Sequence, residues 1–323
     1  MRLKYLIRKV ACWAVSVPLC VTSGAVGDDS SAVALALLTR SIPAGLRQAL
    51  TGSQFAAVVT KLGEHDREQA ILKQLLAGNL PDFLKKLIPV DLRYQPPSGA
   101  AIRATIFVMP EYLAIGSDRD FLRIPMNLHT AAGVASKLGF VLPTRKMVDA
   151  IYARATVHFP PQPMPAGPQM RSTGYYETHN TRIEEQSLQL GVTQGSLVSG
   201  HKKDVVVTNR LLDHPERIAI YGWHRANGDP IQPLSTVHGA CYADYSHGIR
   251  LVSETVLVDG KSRSIYDVLA DPVLAPALSD EGPIPHLREM LTRAASDPLC
   301  EPVAIPSAPQ DAYLRSFTQR KPR

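Results

Sequence analysis

Five prolines fall within the twelve residues FPPQPMPAGPQM, from 159 to 170. Each fixes φ and removes a backbone donor, so the stretch can be neither regular helix nor central strand. It has to run as an extended connector, a wall over whatever it crosses. The chain is therefore read on either side of it.

Upstream, residues 28–95 read as a helical region. SQFAAVVTKLG starts at Ser53 as N-cap and stops at Gly63. EHDREQAILKQLLAG places Ala70, Ile71, Leu75 and Leu76 at helical spacing, carries acids in its first turn and stops at Gly78. LPDFLKKLIP reads as a short third helix ending before Pro89. AIRATIFVMPEYLAIGSDRDFLRIPM then switches to β-rich composition, punctuated by Pro110 and by 116–120, which predicts two or three short antiparallel strands. TAAGVASKLG and PTRKMVDAIYARA follow as helices capped by Thr130 and Thr144.

Downstream, TGYYETHNTRIEEQSLQLG reads as helix from about Asn180. KKDVVVTNRLL, RIAIYGWH and GIRLVSETVLVDG read as strands, SRSIYDVLADP as a last helix, and the remainder as Pro-rich coil. Strands and helices do not alternate strictly. The expected class is α+β: an N-terminal helical region, then a mixed, mainly antiparallel sheet with packed helices over 96–310.

MRLKYLIRK followed by VACWAVSVPLCVTSGAV has the basic and apolar regions of a signal peptide, with residues 1–27 as leader and cleavage near 24–28. The expected location is secreted or periplasmic. The net charge of +6 is misleading. Arg2, Lys4, Arg8 and Lys9 leave with the leader, and Arg315, Arg320, Lys321 and Arg323 lie in a flexible basic tail over 311–323. Between 28 and 314 there remain 27 basic and 29 acidic side chains. Such a body offers no basic face to nucleic acid. Once the leader is cut, nothing holds the chain to a membrane, and the expected partner is an extracellular or cell-envelope polymer. Cys241 and Cys300 are the cysteines left after the leader, and an oxidising compartment predicts one disulfide between them. The rival reading keeps Cys241 as a free nucleophile. P-loop, GxGxxG, CxxC and HExxH motifs do not occur in the sequence, which argues against nucleotide, redox-dithiol and zincin chemistry.

The chemistry concentrates in YGWHRANGDPIQPLSTVHGACYADYSHGIRLV, residues 221–252. Five of the ten histidines lie between 201 and 247. If RIAIYGWH and IRLVSETVLV are neighbouring antiparallel strands, His224 ends one and His247 opens the other, at the same sheet end. The 225–246 loop is long for a compact domain, and its apolar residues favour an ordered loop folded over the strand ends. His247 and His238 are the candidate general bases, Asp244 their orienter, Arg250 an oxyanion or carboxylate binder, and His224 a second-tier catalytic candidate. His238, Asp244 and His247 are also the candidate ligands of a divalent metal such as zinc. Tyr242, Tyr245, Trp223, Tyr175 and Tyr176 suit a sugar- or peptide-stacking wall. ETHN brings Glu177, His179 and Asn180 to a helix start, and GHKKD brings His201, Lys203 and Asp204 to a strand.

STVHGACYAD, residues 235–244, resembles the Ser-x-x-His…Ala-x-Asp zinc motif of the D-Ala-D-Ala peptidases, with the His238–Asp244 spacing one residue shorter and the glycine displaced. DVVVT, RIAIYGWH and GIRLV resemble the strand pattern of the papain-like NlpC/P60 peptidases. In that family a cysteine at a helix N-terminus is the nucleophile, and Thr144 stands in that region here. The leading expectation is a secreted hydrolase of cell-envelope or extracellular peptide or glycan material with a His/Asp-based site, with metal assistance as a variant of that reading. The alternatives are a non-catalytic glycan- or peptide-binding protein and a thiol hydrolase using Cys241.

Overall fold

The structure is a computed structural model and describes residues 38–39, 41–45, 48–296 and 300 of the 323. The expected leader at 1–27 and tail at 311–323 lie outside the described residues.

Helix α1, Gly52–Val59, is capped by Thr51, which shares a reciprocal capping box with Gln54. Ser53, the expected cap, instead gives its N–H and hydroxyl to Asp120. Helix α2, Glu64–Leu76, ends just before Gly78, whose φ of 78° suits a left-handed stop. The expected third helix shrinks to one 3-10 turn, Asp82–Lys85. From Ile88 the chain is strand β1, Ile88–Tyr94, paired along its length with β2, Ile102–Val108. Pro89 is tolerated there because β1 is an edge strand. The first strand of the main sheet thus already lies within 28–95.

A hairpin follows, β3 Ala114–Ser117 and β4 Asp120–Arg123. Helix α3, Leu128–Leu138, is capped by Asn127, which accepts from Thr130 N–H at 2.9 Å, so its start precedes the expected Thr130. Gly139, at φ 77°, stops it as expected. After β5, Phe140–Val141, helix α4, Arg145–Arg154, starts at its expected cap Thr144. Strand β6, Val157–His158, leads into the proline stretch. Helix α5, Thr173–Gln189, begins well before Asn180 because Ser172 caps it through Tyr175 N–H.

The rest of the chain supplies β7 Val198–Ser199, β8 Lys203–Val205, α6 Arg210–Asp213, β9 Ile220–His224, β10 Pro230–Ser235, β11 His247–Gly248, β12 Val252–Val258, β13 Lys261–Ser264 and α7 Ile265–Ala270. Helix α8, Leu287–Ser296, occupies a stretch expected to be coil; it buries Leu287, Met290 and Leu291 and packs on α3. The class is α+β, with eight α-helices and mainly antiparallel sheets among the described residues.

The main sheet runs β1-β2-β12-β13, with β5 also on β12, all antiparallel. A second sheet runs β10-β9-β8-β11. The expected pairing of 217–224 with 249–258 is therefore wrong: β9 and β12 belong to different sheets. Both edges of β9 are taken, by β8 and by β10, and β12 is held by β2 and β13. The expected single loop over 225–246 instead turns back as β10 before a shorter loop over 236–246. His224 and His247 still share a sheet, because the two-residue β11 lies parallel to β8.

The proline stretch is tied to β7, to α5 and to the 236–246 loop. Phe159 N–H donates to Ser199 C=O at 2.8 Å, Gln186 Nε2 to Pro160 C=O at 3.1 Å, and Tyr175 hydroxyl to Pro165 C=O at 3.1 Å. Tyr245 fastens it twice, by its hydroxyl to Met164 and by its N–H to Met170 C=O at 3.0 Å. Among the described residues no helix is long and apolar enough to cross a membrane.

Candidate functional site

Strand β8 carries the centre of the site. Lys203 faces Gly222 on β9 and His247 on β11. A Cβ on Gly248 would fall 2.6 Å from the Tyr112 ring and 2.7 Å from Lys202 Cβ, so β11 can sit this close only with glycine there.

The 236–246 loop is pinned by backbone bonds. Ile218 N–H donates to His238 C=O at 3.1 Å, Ala240 N–H to Glu216 C=O at 2.7 Å, and Leu128 N–H to Ala240 C=O at 3.0 Å. A disulfide joins Cys241 to Cys300, with Cα atoms 5.3 Å apart. The expectation of an ordered loop with Tyr242 and Tyr245 partly covered agrees with this arrangement: Tyr245 is buried and Tyr242 half-buried.

Asp244 is the hub. Its Oδ1 accepts from Ser246 N–H at 2.8 Å and Ser246 hydroxyl at 2.6 Å, and its Oδ2 accepts from Tyr242 hydroxyl at 2.9 Å. Burial alone would raise its pKa, but the neighbouring His247 and Lys203 and the Ser246 bonds hold it at about 2. His247 is 1% exposed, and neither ring nitrogen has a hydrogen-bond partner. Burial pushes its imidazole down to about 4, against the pull of Asp244. Burial likewise lowers His238 and Lys203 from their ordinary ranges. Near neutral pH the pair is thus a neutral imidazole beside an ionised carboxylate.

Two aromatic layers close this pair off. The Tyr242 ring meets His247 edge-on at 5.7 Å, and His238 stacks on Tyr242 at 4.0 Å and 10°. Arg171 lies over the same tyrosine at 5.1 Å. On the inner side, the Lys203 ammonium sits 5.1 Å from the centre of the Trp223 ring, whose buried Nε1 has no acceptor.

The structure brings together His238, Tyr242, Asp244 and His247, with Trp223 and Tyr245 at their flank. Among the described residues, the metal-type donors lying within 4.8 Å of one another are those of His129, Cys241 and Cys300, not those of His238, Asp244 and His247. The His238 ring is turned onto Tyr242 instead, so as it stands the histidine–aspartate set does not gather around one point.

Other expected residues lie elsewhere. The Arg250 guanidinium is 0% exposed; it donates to Met109 C=O at 3.0 Å and Val198 C=O at 2.7 Å and covers the Tyr112 ring at 4.3 Å. It is a tie between segments. Asn180 Oδ1 accepts from Arg123 N–H and Nη1, both at 3.1 Å, while its amide donates to Phe121 C=O at 3.1 Å, which locks α5 to β4. His179 is fully buried against Tyr245 at 5.0 Å, with both ring nitrogens unpartnered, and burial together with Lys202 keeps it neutral. Glu177 is exposed. His224 points away from His247, towards Asp149 at 3.2 Å. Pairing with Cys300 leaves Cys241 no thiol to act as nucleophile.

Several residues escaped the sequence reading. Glu111 accepts from Arg123 Nε at 3.1 Å and faces His201 Nε2 at 2.8 Å; burial would raise its pKa, but these partners hold it far below the usual range. Tyr112 hydroxyl donates to Asp204 at 2.8 Å. Lys202, buried and lowered to about 7, donates to Tyr245 C=O at 2.5 Å. Removing one member of a buried ionic set costs about 3–5 kcal/mol, since it strands the other charge. Nothing local in the sequence announces Glu111 or Tyr112, and HKKD before the apolar run VVV has the composition of a solvated turn.

Compared with protein-family models, with curated proteins and with solved structures, the chain matches none.

Proposed function

We propose that this chain is an exported hydrolase of cell-envelope or extracellular peptide or glycan material, with His247 as general base and Asp244 as the group that stabilises its protonated form. The supporting observation is a buried imidazole with two unpartnered nitrogens beside an ionised buried carboxylate. In the proposed reaction a water gives its proton to His247 while its oxygen adds to the carbonyl carbon of a peptide bond; at a glycosidic carbon the same water displaces the leaving oxygen directly, with no adduct. Lys203 Nζ and Trp223 Nε1 are donors suited to the charge that develops there. Collapse of the adduct breaks the bond, and His247 passes its proton to the leaving group. Substrate would enter by displacing the stacked His238 and Tyr242, both only half-buried. The disulfide and the lack of a membrane-crossing helix among the described residues fit an exported chain.

The test is release of new amino groups or reducing ends from cell-wall sacculi. His247→Ala should lower the rate about 100-fold or more, and Asp244→Asn should lower it less, with melting temperatures near the parent's. A parent chain that releases nothing, or a folded His247→Ala protein as active as its parent, sinks the proposal. If His247→Ala unfolds, His247→Gln gives the same comparison with the ring's volume largely kept. The closed stack over His247 favours one rival: a binding protein that retains sacculi without cutting them.

A further inference from the structure

Three metal-type donors meet where α3, the 236–246 loop and the chain beyond α8 come together. One ring nitrogen of His129 and the sulfurs of Cys241 and Cys300 all lie within 4.8 Å of one another, the one such set of three among the described residues. None of them belongs to the group around His247. All three residues are half-buried, so a metal ion and a reductant can reach them.

The surroundings are those of a ligand set and not of a disulfide alone. His129, in the first turn of α3, holds its Nδ1 2.8 Å from Ala294 C=O on α8. A carbonyl only accepts, so Nδ1 carries the proton and the neutral ring keeps its lone pair on Nε2. A backbone carbonyl on one nitrogen is what orients a histidine whose other nitrogen binds a metal. Asn127 Nδ2 donates to Cys300 Sγ at 3.4 Å, and the same residue caps α3, so this sulfur stands at the positive end of a helix. Both contacts favour a thiolate over a thiol. A disulfide, uncharged and complete without His129, needs none of these.

In the oxidised chain the sulfurs are bonded to each other and are poor ligands. A dithiol reductant passes two electrons and two protons to the disulfide; the S–S bond breaks and the reductant becomes a disulfide itself. A divalent ion then displaces the two thiol protons to solvent, forms two metal–sulfur bonds and accepts the imidazole lone pair. Two thiolates and one imidazole select zinc over magnesium or calcium, which take oxygen ligands. Tetrahedral zinc with bonds of about 2.3 Å sets its sulfurs about 3.8 Å apart. With the Cα atoms 5.3 Å apart, that separation is within reach of side-chain rotation.

We propose that His129, Cys241 and Cys300 form a zinc site that exists only while the disulfide is reduced, with the fourth position left to water. The chain passes through that state before its thiols are oxidised. The ion then ties the 236–246 loop to α3 and to the chain beyond α8, the junction that the disulfide holds afterwards. The site does not depend on the chain being a hydrolase.

The test uses the full chain with Cys12→Ser and Cys20→Ser, which leaves Cys241 and Cys300 as its only cysteines. Reduced with a phosphine, which competes for zinc less than a dithiol does, it should bind one equivalent of zinc ion in a titration against a chromogenic chelator. Cobalt ion should give a thiolate-to-metal charge-transfer band together with tetrahedral d–d bands. Zinc should raise the urea midpoint of the reduced chain and leave that of the oxidised chain unchanged. His129→Ala should weaken zinc binding at least about tenfold, and replacing both Cys241 and Cys300 by Ser should abolish the cobalt charge-transfer band. If the reduced chain unfolds, added zinc should restore its circular dichroism. Should His129→Ala melt early in the oxidised form, His129→Phe gives the same comparison with a ring kept in place. Equal zinc uptake by the oxidised chain would assign the ion to other residues and overturn the proposal. So would a reduced chain that takes up no zinc or is not refolded by it, and so would undiminished binding in both His129 variants.

Discussion

An imidazole shut away from water titrates against the cost of desolvating its charged form, and His247 meets that cost with no hydrogen bond to offset it. Its pKa falls from 6.5 to about 4. Between those values the unfolded chain binds a proton that the folded chain does not. The stability this residue leaves intact above about pH 6.5 is therefore lost as the pH falls towards 4. His201, pushed down to about 4 by burial, acts in the same direction. Asp204, raised by burial from 3.8 to about 6, acts in the opposite one, because its folded form holds the extra proton. The contribution of His247 is isolated by comparing the chain with His247→Gln in urea at pH 7 and pH 5. The parent should lose about 2 kcal/mol more than the variant over that interval. Parallel losses would place the ring in a wetter environment than its burial implies. The same depressed pKa keeps the imidazole unprotonated at neutral pH, so any hydrolytic rate it supports should hold through pH 6 and fall towards 4.

Elements declare themselves by local signals, and their partners do not. Thr144 and the spacing of Ile71 and Leu75 mark α4 and α2 because capping and helical periodicity are properties of a few neighbouring residues. The strands containing Ile220 and Val256 are equally visible in composition. Which strands flank them is settled by residues far away in sequence, and here β8, β10 and β2 took the edges that adjacency alone had assigned otherwise. That Asp244 and His247 are neighbours was legible because they sit three residues apart; the expected hydrogen-bond or ligand reach of His238 or Asp244 to His247 is not seen, since neither ring nitrogen of His247 has a partner. The reversal at Gly222 and Trp223 that carries His224 to Asp149 was not legible, since nothing in GWH announces positive φ. Nor was the burial of Lys202 and Lys203, since lysine ordinarily marks a surface. The proline stretch was legible as an extended connector, and its fastening makes a test. Tyr245 hydroxyl accepts from Met164 N–H at 2.7 Å and donates to Met164 C=O at 3.3 Å. Tyr245→Phe removes both bonds and strands a buried N–H, at a cost of about 1–3 kcal/mol. The variant should be cut faster within 159–170 under limited proteolysis. An unchanged cleavage rate there would mean that the segment is held by its other bonds and not by this tyrosine.

At the scale of the whole molecule, a single covalent link joins the site loop to the chain beyond α8. Cys241 lies on the 236–246 loop, and Cys300, 59 residues later, closes a ring that includes both sheets' last strands and α7 and α8. Asn127, the cap of α3, donates to Cys300 Sγ at 3.4 Å, and α8 packs along α3, so the bridge sits where helices and loop meet. Closing a ring of that length should restrict the unfolded chain by about 4 kcal/mol in the chain-entropy model. Protein lacking residues 1–27 should therefore show no reactive thiol in its native, unreduced form. Cys300→Ser should lower the stability in urea by up to about that amount. The loss should be felt first at the loop, with faster amide exchange at Ala240 and Tyr242 than in β12. Reduction should mimic the substitution, and a chelator belongs in that buffer, because the freed thiolates would stand with His129 as three metal-type donors within 4.8 Å. Two titratable thiols in the native, unreduced protein would sink the bridge and return Cys241 to the list of nucleophiles. Equal stability of Cys300→Ser and its parent would show instead that α8 and the backbone bonds of Ala240 hold the loop without it.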